Sequence, residues 1–203
     1  MTSPLQHASH AQRVDHLFKV ISSERFRQKQ GLGNEIPFFI CPYKAHEAVE
    51  MERAIKQLIN RLSQTGVRVL SLNLYDLCIE AMKAEGDWEW FISNEASQTP
   101  AKKLENLESM LDVESVVVPA IVEQMDAHEF DVMFLSGVGE VFPYIRSHNV
   151  LNNLQKVAKA QPTLMFFPGE YSHSLEKGAS LDLFGRLRDD KYYRAFNIFD
   201  QQI

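Results

Sequence analysis

The chain contains 203 residues, of which 45% are hydrophobic and 24% are charged, and its formal net charge is −6. This composition is typical of a globular protein with one well-buried core. The acidic balance argues against a general nucleic-acid-binding surface, because such surfaces need clustered lysine and arginine. No apolar stretch approaches the roughly 20 residues of a membrane-spanning helix, and Met1–His10 lacks a signal-peptide core. We therefore expect one cytoplasmic domain over residues 1–203, in which residues 1–30 form an N-terminal helical extension.

The first third of the chain predicts helix, strand, helix and strand in that order. Apolar residues at helical spacing from Val14 to Ile21 indicate the N-terminal helix. Ile36–Cys41 is the first predicted strand and Val67–Asn73 is the second. Between them, apolar residues from Met51 to Leu62 recur on one face of an amphipathic helix.

The middle of the chain is predicted to be helical from Leu74 to about Ala127, and two buried strands follow. Short apolar runs at Val132–Leu135 and Thr163–Phe167 are typical of strands in a parallel sheet, and a helix is expected over residues 150–158 between them. Strands that alternate with helices favour an α/β fold, in which a mostly parallel sheet is flanked by helices.

The last part of the chain gives weaker signals. Pro168-Gly-Glu170 is expected to end the strand at Phe167, and the polar segment Ser172–Ser180 is predicted to be an exposed loop. The pattern of Leu181–Leu187 is ambiguous, and Tyr192–Phe199 is a candidate for a final strand.

The predicted order of elements resembles that of nucleotide hydrolases, but without a Walker phosphate loop. Such a loop requires GxxxxGK[ST] after the first strand, where this chain has Cys41-Pro-Tyr-Lys44-Ala-His46. Gly137-Val-Gly139 does follow a strand, but Phe142 stands at the third glycine position of a GxGxxG fingerprint. A degenerate nucleotide site remains an alternative.

Motifs for covalent or metal chemistry are incomplete. Ser136 lies in no GxSxG elbow, and the His46–Glu50 pair lacks the second histidine of a zinc protease helix. Cys41 and Cys78 are isolated, which suits buried thiols in a reducing compartment. We predict no catalytic residue, no metal and no cofactor.

Polar residues cluster after the strands at Val132 and Thr163 and again near the C-terminus. Loops that leave the carboxyl ends of parallel strands line the crevice where ligands or partners bind. Eight residues in these clusters are therefore the candidate binding residues: Arg146, His148, Asn149, Asn152, Asn153, Glu170, Arg186 and Arg188.

Each cluster also has a purely structural interpretation. The segment Ser147–Asn149 is suited to capping the helix that follows, and Glu170 is suited to pairing with a local arginine. The alternating charges from Arg186 to Arg194 are typical of a salt-bridged surface.

Together these stretches resemble the BrxB family of bacterial BREX phage-defence systems. The resemblance extends from about Gly31 to the C-terminus and depends on the segments Gly31–Phe39, Asn73–Asp76, Leu135–Leu154, Met165–Tyr171 and Leu183–Phe196. It implies a small cytoplasmic component that acts beside a large ATPase, an alkaline-phosphatase-like PglZ protein and the DNA methyltransferase PglX. Such systems methylate host DNA and block replication of unmarked phage. The resemblance attaches no catalytic activity to this component.

Our leading hypothesis is a non-enzymatic adaptor that binds the larger enzymes of the defence complex, with the PglZ-like protein as the first expected partner. The main alternative is a degenerate nucleotide-binding switch or hydrolase that uses Arg146, His148, Glu170 and Arg186. A third hypothesis is direct DNA contact through Arg186, Arg188 and Arg194, which the acidic balance disfavours.

Overall fold

The computed structural model describes residues 5, 8–30, 37–174, 178–189 and 195–202. The helices are α1 His10–Ser22, α2 Glu24–Arg27, α3 Ala48–Gln64, α4 Leu74–Glu85, α5 Asp87–Asn94, α6 Pro100–Met110, α7 Val118–Ala127 and α8 Ser147–Val157. The strands are β1 Phe38–Tyr43, β2 Val69–Asn73, β3 Val132–Ser136, β4 Thr163–Ser174, β5 Gly178–Leu183, β6 Leu187–Asp189 and β7 Phe196–Asn197.

Five strands form the main sheet in the order β2-β3-β4-β1-β7, and every neighbouring pair in it is parallel. The strands β5 and β6 extend the far end of β4 as antiparallel neighbours. Helices cover both faces of the main sheet. This arrangement confirms the predicted α/β fold with a mostly parallel sheet flanked by helices.

Alternating side chains of the central strands pack into two separate hydrophobic cores, one on each face of the sheet. Phe134 and Phe166 point to the face covered by α1 and α3, where their rings meet edge to face at 5.2 Å between centroids. Leu135 and Met165 point to the opposite face, which is covered by the helices from α4 to α8. A parallel sheet buried on both faces requires continuous apolar strands, which explains why these runs were recognisable in the sequence.

The predicted helical region after β2 is confirmed. It contains α4, α5, α6 and α7, joined by a 3-10 turn at Glu95–Ser97 and a π turn at Val113–Val117. The N-terminal helix is confirmed as α1. Among the described residues, no helix combines the length and the apolar character needed to cross a membrane.

The prediction that Pro168 and Gly169 end the fourth strand is wrong, because β4 continues to Ser174. Pro168 lies where β4 leaves its parallel partner β1 and begins to pair with β5, and its carbonyl accepts from the amide of Phe184 at 2.8 Å. Gly169 is required there by close approach, since a Cβ would lie 2.2 Å from the carbonyl oxygen of Asp182. The Pro-Gly pair therefore marks a change of partner strand.

The prediction of an exposed loop at Ser172–Ser180 is likewise wrong, because the two ends of this segment belong to the antiparallel pair β4 and β5. Tyr171, Leu181 and Leu183 bury one face of this pair. The first strand begins at Phe38, and its predicted start at Ile36 lies outside the described residues. The predicted final strand at Tyr192–Phe199 is confirmed at Phe196–Asn197 and is wrong at Ile198 and Phe199, which belong to a 3-10 helix; residues 192–194 lie outside the described residues.

A partly buried ion pair connects α1 to the segment that precedes α3. Arg13 is 5% exposed, and its guanidinium donates to Glu47 Oε2 at 2.8 Å. Burial alone would raise the pKa of Glu47, but the hydrogen bond and the charge of Arg13 outweigh it and hold the pKa below its ordinary value of 4.5. Glu47 is therefore ionised at neutral pH.

We expect Glu47→Ala to lower the free energy of unfolding by about 3 kcal/mol, because it leaves the buried guanidinium of Arg13 unpaired. Since the folded pKa of Glu47 is lowered, its stabilisation is complete at neutral pH and is lost as the pH falls below 4.5. The control is Glu52→Ala, which breaks the exposed pair with Lys56 and should leave the free energy of unfolding almost unchanged. Urea unfolding at pH 7 and pH 4 measures both effects, and equal costs for the two variants would contradict this account.

Candidate functional site

The predicted residues at the start of α8 lie in different environments. Arg146 is the N-cap of the helix, with an exposed side chain that forms no hydrogen bond or ion pair with a described residue. His148 is 1% exposed and faces the core, whereas Asn149 is exposed. The helix begins at Ser147 and has no side-chain cap, so the structural interpretation of this segment as a cap is wrong.

The two other asparagines of this cluster, Asn152 and Asn153, are half-buried. Asn153 donates to the carbonyl of Asn149 at 3.0 Å and accepts from the ammonium of Lys156 at 2.7 Å. Lys156 also pairs with Glu114 of the π turn at 3.3 Å. Asn153 therefore helps to hold α8 against the helical layer, whereas Asn149 stays exposed.

The remaining predicted residues lie on the antiparallel extension. Glu170 of β4 is opposite Asp182 of β5, and Asp182 is in turn opposite Arg188 of β6. Arg186 is exposed in the turn between β5 and β6. Among the described residues, no ion pair joins Glu170 to an arginine, and none links this extension to Arg146.

A groove of about 930 Å³ lies at a different place, beside the carboxyl ends of β1, β2 and β3. The first half of α3 forms one wall and the first half of α4 forms the other. Ser71, Leu72 and Asn73 of β2 form the floor, and Ser136 and Gly137 close one end. The groove is thus built from several strand ends, as in other open α/β sheets.

The loop after β3 is held tightly against the end of β2. Asn73 caps α4 by accepting from the amides of Tyr75 and Asp76 at 2.8 and 3.3 Å. Gly137 has a φ of +74°, and a Cβ at this position would lie 2.2 Å from Asn73 Oδ1. Only glycine combines this left-handed backbone with such close contact. The two strand ends, and the groove residues that follow them, are therefore fixed relative to each other.

The groove is acidic. Glu52, Asp76, Glu80 and Glu140 line it, and Lys56 is the single lysine among the described residues that line it. Lys56 already pairs with Glu52 at 2.6 Å. Burial, followed by the charges of Asp76 and Glu52, raises the pKa of Glu140 above its ordinary value of 4.5. The carboxylates of Glu52 and Asp76 are thus close enough to repel that of Glu140. The groove therefore carries an excess of negative charge.

An apolar cavity of about 420 Å³ adjoins the groove and shares Tyr75 and Glu140 with it. It lies among α4, α5 and α6, and Cys78 and Tyr144 are in its wall. Burial raises the pKa of both side chains to about 12. At neutral pH they are protonated, so Cys78 is a small apolar group and not an activated nucleophile.

None of the eight binding residues predicted from the sequence is among the described residues that line the groove. Its carboxylates come from α3, α4 and the β3–α8 loop, and each resembles an ordinary surface residue in the sequence. The available signal was the position of Asn73–Asp76 and Gly137–Glu140 directly after strands, because strand ends meet at one edge of a parallel sheet. No group of three potential metal ligands occurs within the part of the chain that the structure describes.

The fold and the groove define an α/β protein with an acidic, partly apolar groove at the carboxyl ends of its strands. Residues 70–198 match the family model described as BREX protein BrxB. BREX protein BrxB of Bacillus cereus (strain H3081.97) is 34% identical over 197 residues, covering 94% of this chain and 97% of that protein. The chain therefore belongs to the BrxB family, which confirms the resemblance.

A second relative, BREX protein BrxB of Escherichia coli O9:H4 (strain HS), is 27% identical over 186 residues. The match covers 92% of this chain and 90% of that protein. Both relatives thus match along almost their whole length, including the segments that build the groove. No solved structure matches the chain significantly.

Glu140→Gln tests the electrostatics of the groove. Because the folded pKa of Glu140 is raised, its ionised form costs stability at pH 7, and this cost disappears as the pH falls through the raised value. We expect the variant to unfold at a slightly higher temperature than the native chain at pH 7, because solvent screens much of the repulsion at this exposed residue. The difference should shrink toward pH 4.

The matched control is Glu123→Gln, on the exposed surface of α7 outside the groove. It should leave the melting temperature unchanged at both pH values. A Glu140→Gln protein that melts below the native chain at pH 7 would show that Glu140 is stabilised, not repelled, by its surroundings.

Proposed function

We propose that this chain is a non-enzymatic adaptor of a BREX-type bacteriophage-defence complex, which binds larger enzymes during discrimination between host and phage DNA. Membership of the BrxB family supports its place among the BREX proteins. The PglZ-like protein is the first proposed partner, and the ATPase and the PglX methyltransferase are the others. We place this assembly in the cytoplasm.

The observation that supports the adaptor proposal most strongly is the excess of carboxylates at the carboxyl ends of the parallel strands. Nucleotide hydrolases of similar layout bind polyphosphate at this edge, where backbone amides and lysine compensate its charge. Here Glu52, Asp76 and Glu140 repel such a ligand. The same carboxylates, beside apolar walls, suit a protein segment with basic side chains.

The start of α3 supports the same conclusion. A phosphate loop would lie here, between β1 and the first turn of the next helix. In this chain, Glu47 already accepts from the amide of Lys44 at 3.3 Å and from Arg13 at 2.8 Å. The carboxylate of Glu47 is therefore already bonded to an amide and a guanidinium that a bound phosphate would need.

The polar residues of α8 and of the antiparallel extension are a second proposed contact surface. Arg146, Asn149, Glu170 and Arg186 are exposed. We propose that they bind a partner protein, together with Asn152, Asn153 and Arg188, and that the buried ring of His148 supports the start of the helix. An arginine such as Arg146, which pairs with no described residue, suits recognition of a carboxylate on another protein.

Arg146→Ala is expected to leave the free energy of unfolding within about 0.5 kcal/mol of the native value, because the side chain is exposed and unpaired among the described residues. Affinity for the purified PglZ-like protein should fall about tenfold or more, as for an interface arginine. A thermal melt and an affinity titration on the same preparation measure the two effects. Arg53→Ala, on an exposed position of α3 outside the groove, is the control for loss of a surface charge.

Two outcomes would count against this account. Unchanged stability, partner binding and phage protection in Arg146→Ala would remove this cluster from the contact surface. Calorimetric titration with ATP, GTP and their magnesium complexes addresses the alternative of a nucleotide switch. Micromolar binding that is lost in Arg186→Ala would overturn the adaptor proposal in favour of that alternative.

A further inference from the structure

The strand β2 is an edge of the main sheet and pairs, within the described chain, only with β3. The carbonyl of Arg68 accepts from the amide of Val132 at 3.3 Å, and the carbonyl of Leu72 accepts from Ser136 Oγ at 3.5 Å. These groups point toward β3. Because successive residues of a strand direct their amide and carbonyl to opposite sides, those of Val69 and Ser71 point away from the sheet.

The groove reaches this open edge at Ser71, near the carboxyl end of β2. Its walls are α3 and α4, which belong to the layers on opposite faces of the sheet. The two layers meet only at the margins of the sheet, and the lining residues Ser71, Leu72 and Asn73 place the groove where the open edge of β2 meets the carboxyl ends of the strands. Its volume of about 930 Å³ is at the upper end of the roughly 300–1,000 Å³ typical of ligand pockets.

The walls of the groove combine apolar and acidic groups. Met51, Ile55 and Leu72 give it an apolar interior, while Val49 and Tyr75 at its rim are 60% and 40% exposed. Of the carboxylates, Glu52 and Glu80 pair with Lys56 and Lys83, respectively. The carboxylates of Asp76 and Glu140 form no ion pair with a described residue.

We propose that an extended segment of a partner protein adds to β2 as a further strand of the sheet. About five residues suffice to match the length of β2, and their backbone bonds with the outward groups of Val69 and Ser71. Apolar side chains of the segment contact the α3 wall, and a lysine or arginine lies beside Asp76 and Glu140. This proposal rests on the proposed adaptor function, since the partner is another BREX protein.

Charge decides between the candidate occupants. A second copy of this chain that paired through β2 would bring two sets of Asp76, Glu80 and Glu140 together, and like charges across an interface oppose association. A segment with basic side chains instead neutralises them. Paired edge strands also remove the exposed hydrogen-bonding groups that make an open edge prone to aggregation.

The test uses the full chain and the separately purified PglZ-like protein, ATPase and PglX methyltransferase. Ser71→Pro removes the outward amide hydrogen, a change that edge strands tolerate because no bond inside the sheet is lost. Ser71→Ala keeps that hydrogen and separates the backbone from the side chain. Asp76→Lys reverses the charge at the rim, and Glu123→Lys makes the same reversal at an exposed residue of α7 that does not line the groove.

We expect Ser71→Pro and Asp76→Lys each to weaken binding to the partner at least tenfold, while Ser71→Ala and Glu123→Lys bind like the native chain. Hydrogen exchange on the native chain is a readout that needs no folded proline variant. The amides of Val69 and Ser71 should exchange rapidly in the free chain and slowly in the complex.

The outcomes separate this proposal from the adaptor proposal. If a BREX protein binds, yet the β2 amides stay unprotected and Ser71→Pro binds normally, strand addition is overturned and the adaptor proposal stands. Binding to none of the three proteins overturns both. A dimer of the free chain that Ser71→Pro dissociates identifies a second copy as the occupant, which also overturns the proposal.

Discussion

The burial of β3 and β4 on both faces is the constraint on which the rest of the structure depends. The side chains of Met133, Phe134 and Leu135 have no exposed surface, and the same holds for Leu164 and Met165. Each strand therefore needs a helical layer above and below it. The helices are therefore divided between the two faces of the sheet, with α1 and α3 on one face and the helices from α4 to α8 on the other.

Two-sided burial also explains why polar chemistry is concentrated at the ends and at one edge of the sheet. Side chains within the central strands are committed to packing, so charged groups must lie in the loops and first helical turns that follow. Asp76 is in the first turn of α4, where the helix dipole stabilises a carboxylate. The helix dipole therefore offsets part of the repulsion among the carboxylates of Asp76, Glu140 and Glu52.

The extent to which the sequence predicted this structure varies with the environment of each segment. The strands β1 to β4 were recognisable because buried parallel strands are apolar throughout, and α3 was recognisable because one of its faces is buried. The pair β4–β5 was missed because half of its residues face outward, so Ser172–Ser180 has the composition of a loop. Pro168 favours a strand end in the sequence, but it lies where β4 changes its partner strand and no neighbouring strand needs its amide.

The candidate binding surfaces were predictable only in part. The residues around Arg146 were identified because they follow β3 directly and lie close together in the chain. The acidic groove depends on three separate segments, in which Glu52, Asp76 and Glu140 come together only through folding. Their proximity follows from strand order, and the order β2-β3-β4-β1 places β2 at an edge that no local pattern reveals.

The most direct test of an adaptor that works through the carboxyl edge of its sheet is an electron cryomicroscopy structure of this chain bound to the PglZ-like protein. The account predicts partner density between α3 and α4, continuous with the open side of β2, and a basic side chain within reach of Asp76 or Glu140. A partner bound only at the amino ends of the strands, with the groove empty, would contradict it.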